Sequence, residues 1–273
     1  MGVTVELVEG RRIGIRSTGT GAPTLLSHCS LAHSGAWGGV MAGLNDRLCM
    51  TAFDLPGHGE SEFDTNIDIQ DQACETAIAI LERADGPSHF IGHSFGATVA
   101  LRCAVERPDL VASLSLYEPV YFSLLASGNP AAYAKELESS TEFNAYLLAK
   151  DWPKAADLFL KNWGGEGGFS AMPEVQQRYV LKTIPLILEN NHTIIELHEG
   201  GLSLADVAHV DVPCLLMEGA RSPEVIHRVN DLLEDTLPNV ERQVFQTAAH
   251  MGPISHPTEV AAAIRLFLFG DDA

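Results

Sequence analysis

Residues 90–100 read Phe-Ile-Gly-His-Ser-Phe-Gly-Ala-Thr-Val-Ala, a serine with a glycine two residues to either side. A serine hydroxyl becomes a nucleophile when the fold exposes it and a neighbouring base takes its proton. The flanking sequence supplies the first condition. Residues 88–92 read as a short buried strand, and residues 97–106 as a helix that stops before Pro108. Glycines at 92 and 96 permit a sharp strand-to-helix turn that pushes the Ser94 hydroxyl into the open. The pentapeptide alone is a weak signal, since a serine in a tight turn would read the same way. The strand before it and the helix after it make Ser94 a candidate nucleophile.

Other chemistries find less support. No CxxC or HExxH pattern occurs, so no structural or catalytic metal site is expected. The five cysteines, at 29, 49, 74, 103 and 214, are odd in number and scattered. They read as free thiols in a reducing cytoplasm. The first residues carry acidic groups and lack a long apolar core, so no signal peptide is expected. No apolar run approaches the ~18 residues of a membrane span. The net charge is −19, from 36 acidic against 17 basic residues. Such a surface repels phosphate backbones and anionic membranes, so neither nucleic acid nor membrane is an expected partner, and it says little about substrate.

The elements that must position Ser94 follow from periodicity. Residues 3–8 and 12–16 read as an antiparallel start, residues 24–28, 48–53 and 111–117 as further strands, and residues 70–83 as a helix. From 122 to 209 strand alternation stops and helical stretches take over, at 131–139, 141–150, 153–163 and 173–189, with a glycine-rich loop at 164–168. Strands at 212–218 and 240–246 and helices at 223–235 and 257–269 close the chain. Alternation of this kind predicts an α/β fold, a mostly parallel central sheet with helices on both faces. The core is expected to comprise 1–121 and 210–273, and the inserted helical cap 122–209.

Four segments resemble the α/β-hydrolase family: Asp54-Leu-Pro-Gly-His-Gly-Glu-Ser61, the nucleophile elbow Gly92–Gly96, Ala248-Ala-His250-Met-Gly-Pro253, and Leu25-Leu-Ser-His28-Cys-Ser30. The resemblance implies a cofactor-free serine hydrolase with His250 as the base. It also implies an oxyanion hole built from the amides of Phe95 and Ser30. Cys29 stands where the family usually has glycine, so a side chain must be accommodated beside the acyl site; no elbow presents it as a nucleophile. His28 and His93 are expected beside the site, bonding backbone. His33 and His58 are expected in loops at an entrance, and His192, His198, His209 and His227 at the surface or in the cap. His28, Cys29, His93, Met251 and the aromatic residues Phe122 and Trp163 are candidate substrate contacts. Leu124, Leu125, Trp152, Phe159 and Phe169 are candidate cap lining, with ordinary helix packing as the plainer reading of each.

The acid is the open position. The family usually places an aspartate where this chain has Ser222, and a hydroxyl cannot balance an imidazolium. Glu218 lies within the preceding strand, and Glu224 in the first turn of a helix, where capping is the usual role. Glu118 ends the strand at 111–117, and the carboxyl ends of parallel strands line the active-site crevice. Some family members resemble that arrangement, so Glu118 is the reading taken forward. A Ser-His-Glu triad would act on a small carboxylic ester, thioester or lactone through an acyl-enzyme. A carbon–carbon bond hydrolase on the same triad remains open. So does a non-catalytic ligand-binding homologue, which the departure at 222 suggests.

Overall fold

The computed structural model describes residues 2–164, 167–197 and 201–270. Eight strands form one sheet: β1 (Thr4–Val8), β2 (Arg11–Thr18), β3 (Ala22–Ser27), β4 (Leu48–Phe53), β5 (Ser88–His93), β6 (Val111–Tyr117), β7 (Cys214–Gly219) and β8 (Val240–Phe245). Their order is β1-β2-β4-β3-β5-β6-β7-β8. β1 and β2 pair antiparallel, as do β2 and β4; every later pairing is parallel.

Both faces of the sheet are covered, so its central strands alternate between two apolar clusters. In β7, Cys214 and Leu216 pack with the helices Ile69–Leu81 and Phe95–Glu106, while Leu215 and Met217 pack with Trp37, Val40 and the helix Pro257–Phe269. Each fully buried aliphatic side chain contributes about 1.5–3 kcal/mol. The helix Glu224–Thr236 buries Ile226, Val229, Asn230 and Leu233, a spacing of three, one and three residues that lays one face on the sheet.

Among the described residues, no strand lies between β6 and β7; that stretch is helical. The helices Pro130–Ser139, Thr141–Leu148 and Trp152–Trp163 match the predicted ones within two residues. The single helix expected over 173–189 is instead two, Glu174–Thr183 and Leu186–Ile194. Pro185 divides them, because its ring lacks an N–H and crowds the carbonyl four residues back. A four-residue helix, Leu204–Val207, closed by a capping box between Ser203 and Asp206, is too short to leave a periodic trace in sequence. Leu147, Ala155, Ala156, Leu160, Val180, Ile184 and Ile187 form an apolar cluster of their own in this stretch.

Register brings the chemically interesting residues to one edge. Gly92 of β5 pairs with both Ser27 of β3 and Leu116 of β6. The ladder then runs one residue past the strand ends: Ser94 N–H donates to the Tyr117 carbonyl and Glu118 N–H to the Met217 carbonyl, each at 2.9 Å. Ser94 and Glu118 therefore leave the sheet side by side at its carboxyl edge.

Candidate active site

Ser94 joins β5 to the helix Phe95–Glu106 with φ +56° and ψ −120°. An L-residue held there costs on the order of 1–3 kcal/mol and persists only where its surroundings over-determine it. The two glycines do so. A Cβ on Gly92 would lie 2.5 Å from the Ala97 Cα, and one on Gly96 would lie 2.3 Å from the Ser27 carbonyl oxygen. Only bare backbone lets the helix start this close to β3 and β5. Ser27 Oγ, in turn, donates to the Gly96 carbonyl at 2.7 Å.

His250 sits in the loop between β8 and the short helix Gly252–Ser255. Its Nε2 lies 2.9 Å from Ser94 Oγ. Three contacts fix the loop. Tyr117 donates its hydroxyl to the Ala249 carbonyl at 2.9 Å, and His93 Nε2 donates to the His250 carbonyl at 2.7 Å. Gly252 accepts the Tyr117 ring where a Cβ would collide with it. Burial holds His93 well below the usual imidazole range, with His250 nearby adding to the effect, so its ring is neutral. The Trp163 ring stands edge-on to His250 at 4.9 Å between centroids.

The remaining His250 nitrogen, Nδ1, lies 2.6 Å from Glu118 Oε2. Glu118 is fully buried, and a buried carboxylate must be met by donors. Its other oxygen, Oε1, accepts from the Gly219 N–H at 2.7 Å and from Ser222 Oγ at 2.6 Å. The other two candidate carboxylates are committed elsewhere. Glu218 is bonded by Arg242 at 2.7 Å and Asn230 at 2.9 Å, with His227 at 3.1 Å. Glu224 is exposed and paired with Lys135 and Arg228. Of the three, only Glu118 meets the imidazole.

The amides of Phe95 and Ser30 donate to no acceptor among the described residues. Asn190, from the helix Leu186–Ile194, donates to Ser30 Oγ at 3.2 Å; nothing in the local sequence pattern signals that contact. Cys29 is buried, and burial pushes its thiol up to about 12, which leaves it protonated at neutral pH. His28 donates from Nδ1 to the Cys29 carbonyl at 2.7 Å and accepts the Leu55 N–H at Nε2. His58 donates to the Pro56 carbonyl and accepts the Leu31 N–H. Each therefore ties the loop after β3 to the loop after β4.

A cavity of about 470 Å³ opens onto Ser94, His250, Ser30 and Ser222. Phe122, Phe159, Trp163 and Ile187 form part of its apolar wall, and Lys161 and Arg221 also line it. His28, Cys29, His93 and Met251 are not in that lining. Leu124 and Leu125 belong to the main core, and Trp152 and Phe169 pack into the separate helical cluster. His33 caps a short turn at the Gly35 N–H, His209 bonds the Ala205 carbonyl, and His198 lies outside the described residues, as does the His192 side chain.

Comparison with known proteins gives the class. Residues 24–263 match the alpha/beta hydrolase family. The chain belongs to that family and is an esterase-like hydrolase. It is 26% identical, over 90% of its length and 96% of the relative's, to the pimeloyl-[acyl-carrier protein] methyl ester esterase of Nitrosomonas europaea. The enzyme of the same name from Methylococcus capsulatus is 42% identical over 103 residues, 37% of this chain and 39% of that one. Among solved structures, a thermophilic esterase from Thermogutta terrifontis superimposes with a TM-score of 0.73 at 20% identity, covering 98% of both chains. A carboxylesterase from Bacillus subtilis gives 0.73 at 17% identity, covering 98% of this chain and 92% of that one. These two likenesses speak to the fold.

Proposed function

We propose that this protein hydrolyses a small carboxylic ester, thioester or lactone through an acyl-enzyme, with Ser94 as nucleophile, His250 as base and Glu118 as the supporting acid. The observation that carries the reading is the line Glu118 Oε2–His250–Ser94 Oγ, at 2.6 and 2.9 Å. With its Nδ1–H donating a hydrogen bond to Glu118, the neutral imidazole offers the lone pair of Nε2 to the Ser94 hydroxyl. Ser94 attacks the carbonyl carbon as its proton passes to Nε2. The imidazolium then protonates the departing alcohol, and a water deprotonated by the same nitrogen releases the acid. The amides of Phe95 and Ser30 are read as the donors to the carbonyl oxygen as it gains charge. On this reading the departure at 222 is a relocated carboxylate rather than a lost one.

Residues 122–209 are read as a cap on the core formed by 1–121 and 210–273. Support comes from the helices Trp152–Trp163 and Leu186–Ile194, which bring Phe159, Trp163 and Ile187 to the cavity wall. A volume of about 470 Å³ suits a small-molecule substrate. The methyl ester in the relatives' name fits the bond type; at 26% identity it does not carry the acyl group across. The five cysteines are all unpaired, which fits a reducing compartment.

A fluorophosphonate probe followed by peptide mapping tests the assignment. Labelling is expected on Ser94, absent from Ser94→Ala, and accompanied by turnover of 4-nitrophenyl esters that falls by about 10³-fold or more in Ser94→Ala and His250→Ala. Labelling elsewhere, or near-normal turnover by Ser94→Ala, would reject it.

A further inference from the structure

We infer that the ester hydrolysed at this site carries a carboxylate, which Arg221 and Lys161 hold at the mouth of the cavity. The inference rests on the esterase reading above and adds the charge of the substrate to it. Cations are the scarce partner in this chain, with 17 basic residues against 36 acidic ones. Many of those on the surface pair with carboxylates, Arg107 with Asp109 and Glu82, Arg242 with Glu218, Asp231 and Glu234, Arg265 with Asp46, while Arg12, Lys150 and Lys182 have no ion pair among the described residues; what sets Arg221 and Lys161 apart is their place. Arg221 and Lys161 have no such partner among the described residues, and both line the cavity that opens onto Ser94.

Both cations line the cavity onto which Ser94 and His250 open. Arg221 directly precedes Ser222, which bonds Glu118. Lys161 lies two residues before Trp163, whose ring meets His250. One cation thus comes from the loop after β7 and the other from the helix Trp152–Trp163, on two different walls. The single carboxylate among the lining residues, Glu136, is occupied by Ser139 Oγ at 3.2 Å, and burial raises its affinity for a proton, which weakens its opposition to an anion.

A net charge of −19 repels anions at long range. A local pair of cations without carboxylate partners opposes that field at the entrance. The Arg221 guanidinium offers a planar fork that fits a carboxylate, while Lys161 supplies a flexible point charge. The carboxylate can belong to the acyl chain, as in the half-ester of a dicarboxylic acid, or to the alcohol.

Matched substrates test this and separate the two sources. For the acyl side, 4-nitrophenyl hydrogen glutarate is compared with 4-nitrophenyl methyl glutarate; for the alcohol side, 4-acetoxybenzoate with 4-acetoxybenzamide. The charged member of at least one pair is expected to have the higher kcat/KM. That charged-to-neutral ratio should fall about ten-fold in Arg221→Gln and in Lys161→Gln, mainly through KM, and fall further in Arg221→Glu. Added salt should lower the ratio for the unaltered protein. If both pairs are turned over but no ratio changes in any variant, the inference is wrong while the esterase reading stands. If neither member of either pair is turned over and Ser94 takes no fluorophosphonate, the esterase reading falls and takes this inference with it.

Discussion

Ser222 Oγ donates a 2.6 Å hydrogen bond to Glu118 Oε1, across the ends of the adjacent strands β6 and β7. The residue at the position where the family resemblance leads one to expect the acid thus serves the carboxylate that stands one strand away. The Gly219 N–H takes the rest of Oε1, so the carboxylate can turn only Oε2 toward His250. A neutral hydroxyl suits position 222 for this reason: an aspartate there would face a second buried carboxylate, and like charges at that distance cannot both stay ionised.

Exchanging these two residues should move the acid. In Glu118→Gln the amide oxygen is held by the Gly219 N–H and Ser222 donors, so the NH2 group faces His250 and cannot accept the Nδ1–H hydrogen bond, and a loss in kcat of up to about 10⁴-fold is expected. Ser222→Ala removes one donor from a carboxylate that keeps its Gly219 bond, and about ten-fold is expected. Glu224→Gln should leave kcat close to normal. In the double variant Glu118→Ala/Ser222→Asp the new carboxylate is expected to enter the space that Glu118 vacates beside Nδ1. Steady-state kinetics should show at least about ten-fold recovery over Glu118→Ala alone. No recovery, together with a fully active Glu118→Gln, would leave His250 without an identified acid.

The sequence made the scaffold readable wherever a local pattern sufficed. The strands at 48–53 and 111–117 and the helix at 257–269 have the bounds that the sequence predicts, the strands as short apolar runs that reach both apolar clusters and the helix as a periodic run opened by Pro257. The break at Pro185 shows the limit: helical periodicity runs through the proline, while the backbone cannot. Ser94, His250 and Glu118 each stood out by a local sign, respectively an elbow, a loop after a strand and a strand end. The Ser222–Glu118 and Asn190–Ser30 bonds join residues 104 and 160 positions apart. Such contacts leave no trace in a window of ten or fifteen residues. The cavity wall divides the aromatic candidates for the same reason: Trp152 and Trp163 begin and end one helix, yet only Trp163 faces the cavity.

That division separates specificity from stability. Trp163→Ala removes a ring that stacks on Phe122 at 6.1 Å and meets His250. It should shift 4-nitrophenyl ester preference toward longer acyl chains. Trp152→Ala should instead lower unfolding free energy by about 1–3 kcal/mol, with little change in chain-length preference. Kinetics across acetate to octanoate, beside urea unfolding curves, check both. A chain-length shift in Trp152→Ala as large as in Trp163→Ala would contradict the assignment of Trp152 to the separate cluster.

Acid should destabilise the fold before it titrates the surface carboxylates. Burial pushes His58 down to about 4, and holds His28 and His93 well below their ordinary 6.5 as well. Between those folded values and 6.5 the unfolded chain binds protons that the folded chain does not. Stability therefore rises with pH through this window and falls on acidification below about pH 6.5, by on the order of 1 kcal/mol per pH unit for each fully buried histidine. Urea unfolding at pH 7, 6 and 5 should show the midpoint dropping. Calorimetry in buffers of different ionisation enthalpy should show proton uptake on unfolding at pH 5. A flat midpoint from pH 7 to 5 would mean that these rings charge without cost.

The last prediction concerns the backbone of the nucleophile itself. Ser94 carries φ +56°, a region that costs an L-residue on the order of 1–3 kcal/mol. Glycine occupies that region without the Cβ penalty, but loses about 0.5–1 kcal/mol more conformational freedom on folding. The first effect exceeds the second, so Ser94→Gly should unfold at higher urea concentration than Ser94→Ala, with a difference of about 1 kcal/mol. Both variants lack the hydroxyl and neither should take up a fluorophosphonate, so the comparison isolates backbone strain from the loss of the His250 hydrogen bond. The surroundings that impose the strain are the backbone contacts of Gly92 and Gly96. Gly96→Ala should therefore be destabilising by about 1–3 kcal/mol, since its methyl group must push the Ser27 and His28 carbonyls aside. Equal stability of Ser94→Gly and Ser94→Ala would show that the turn at 94 is relaxed, and that the fold holds the nucleophile in place without cost.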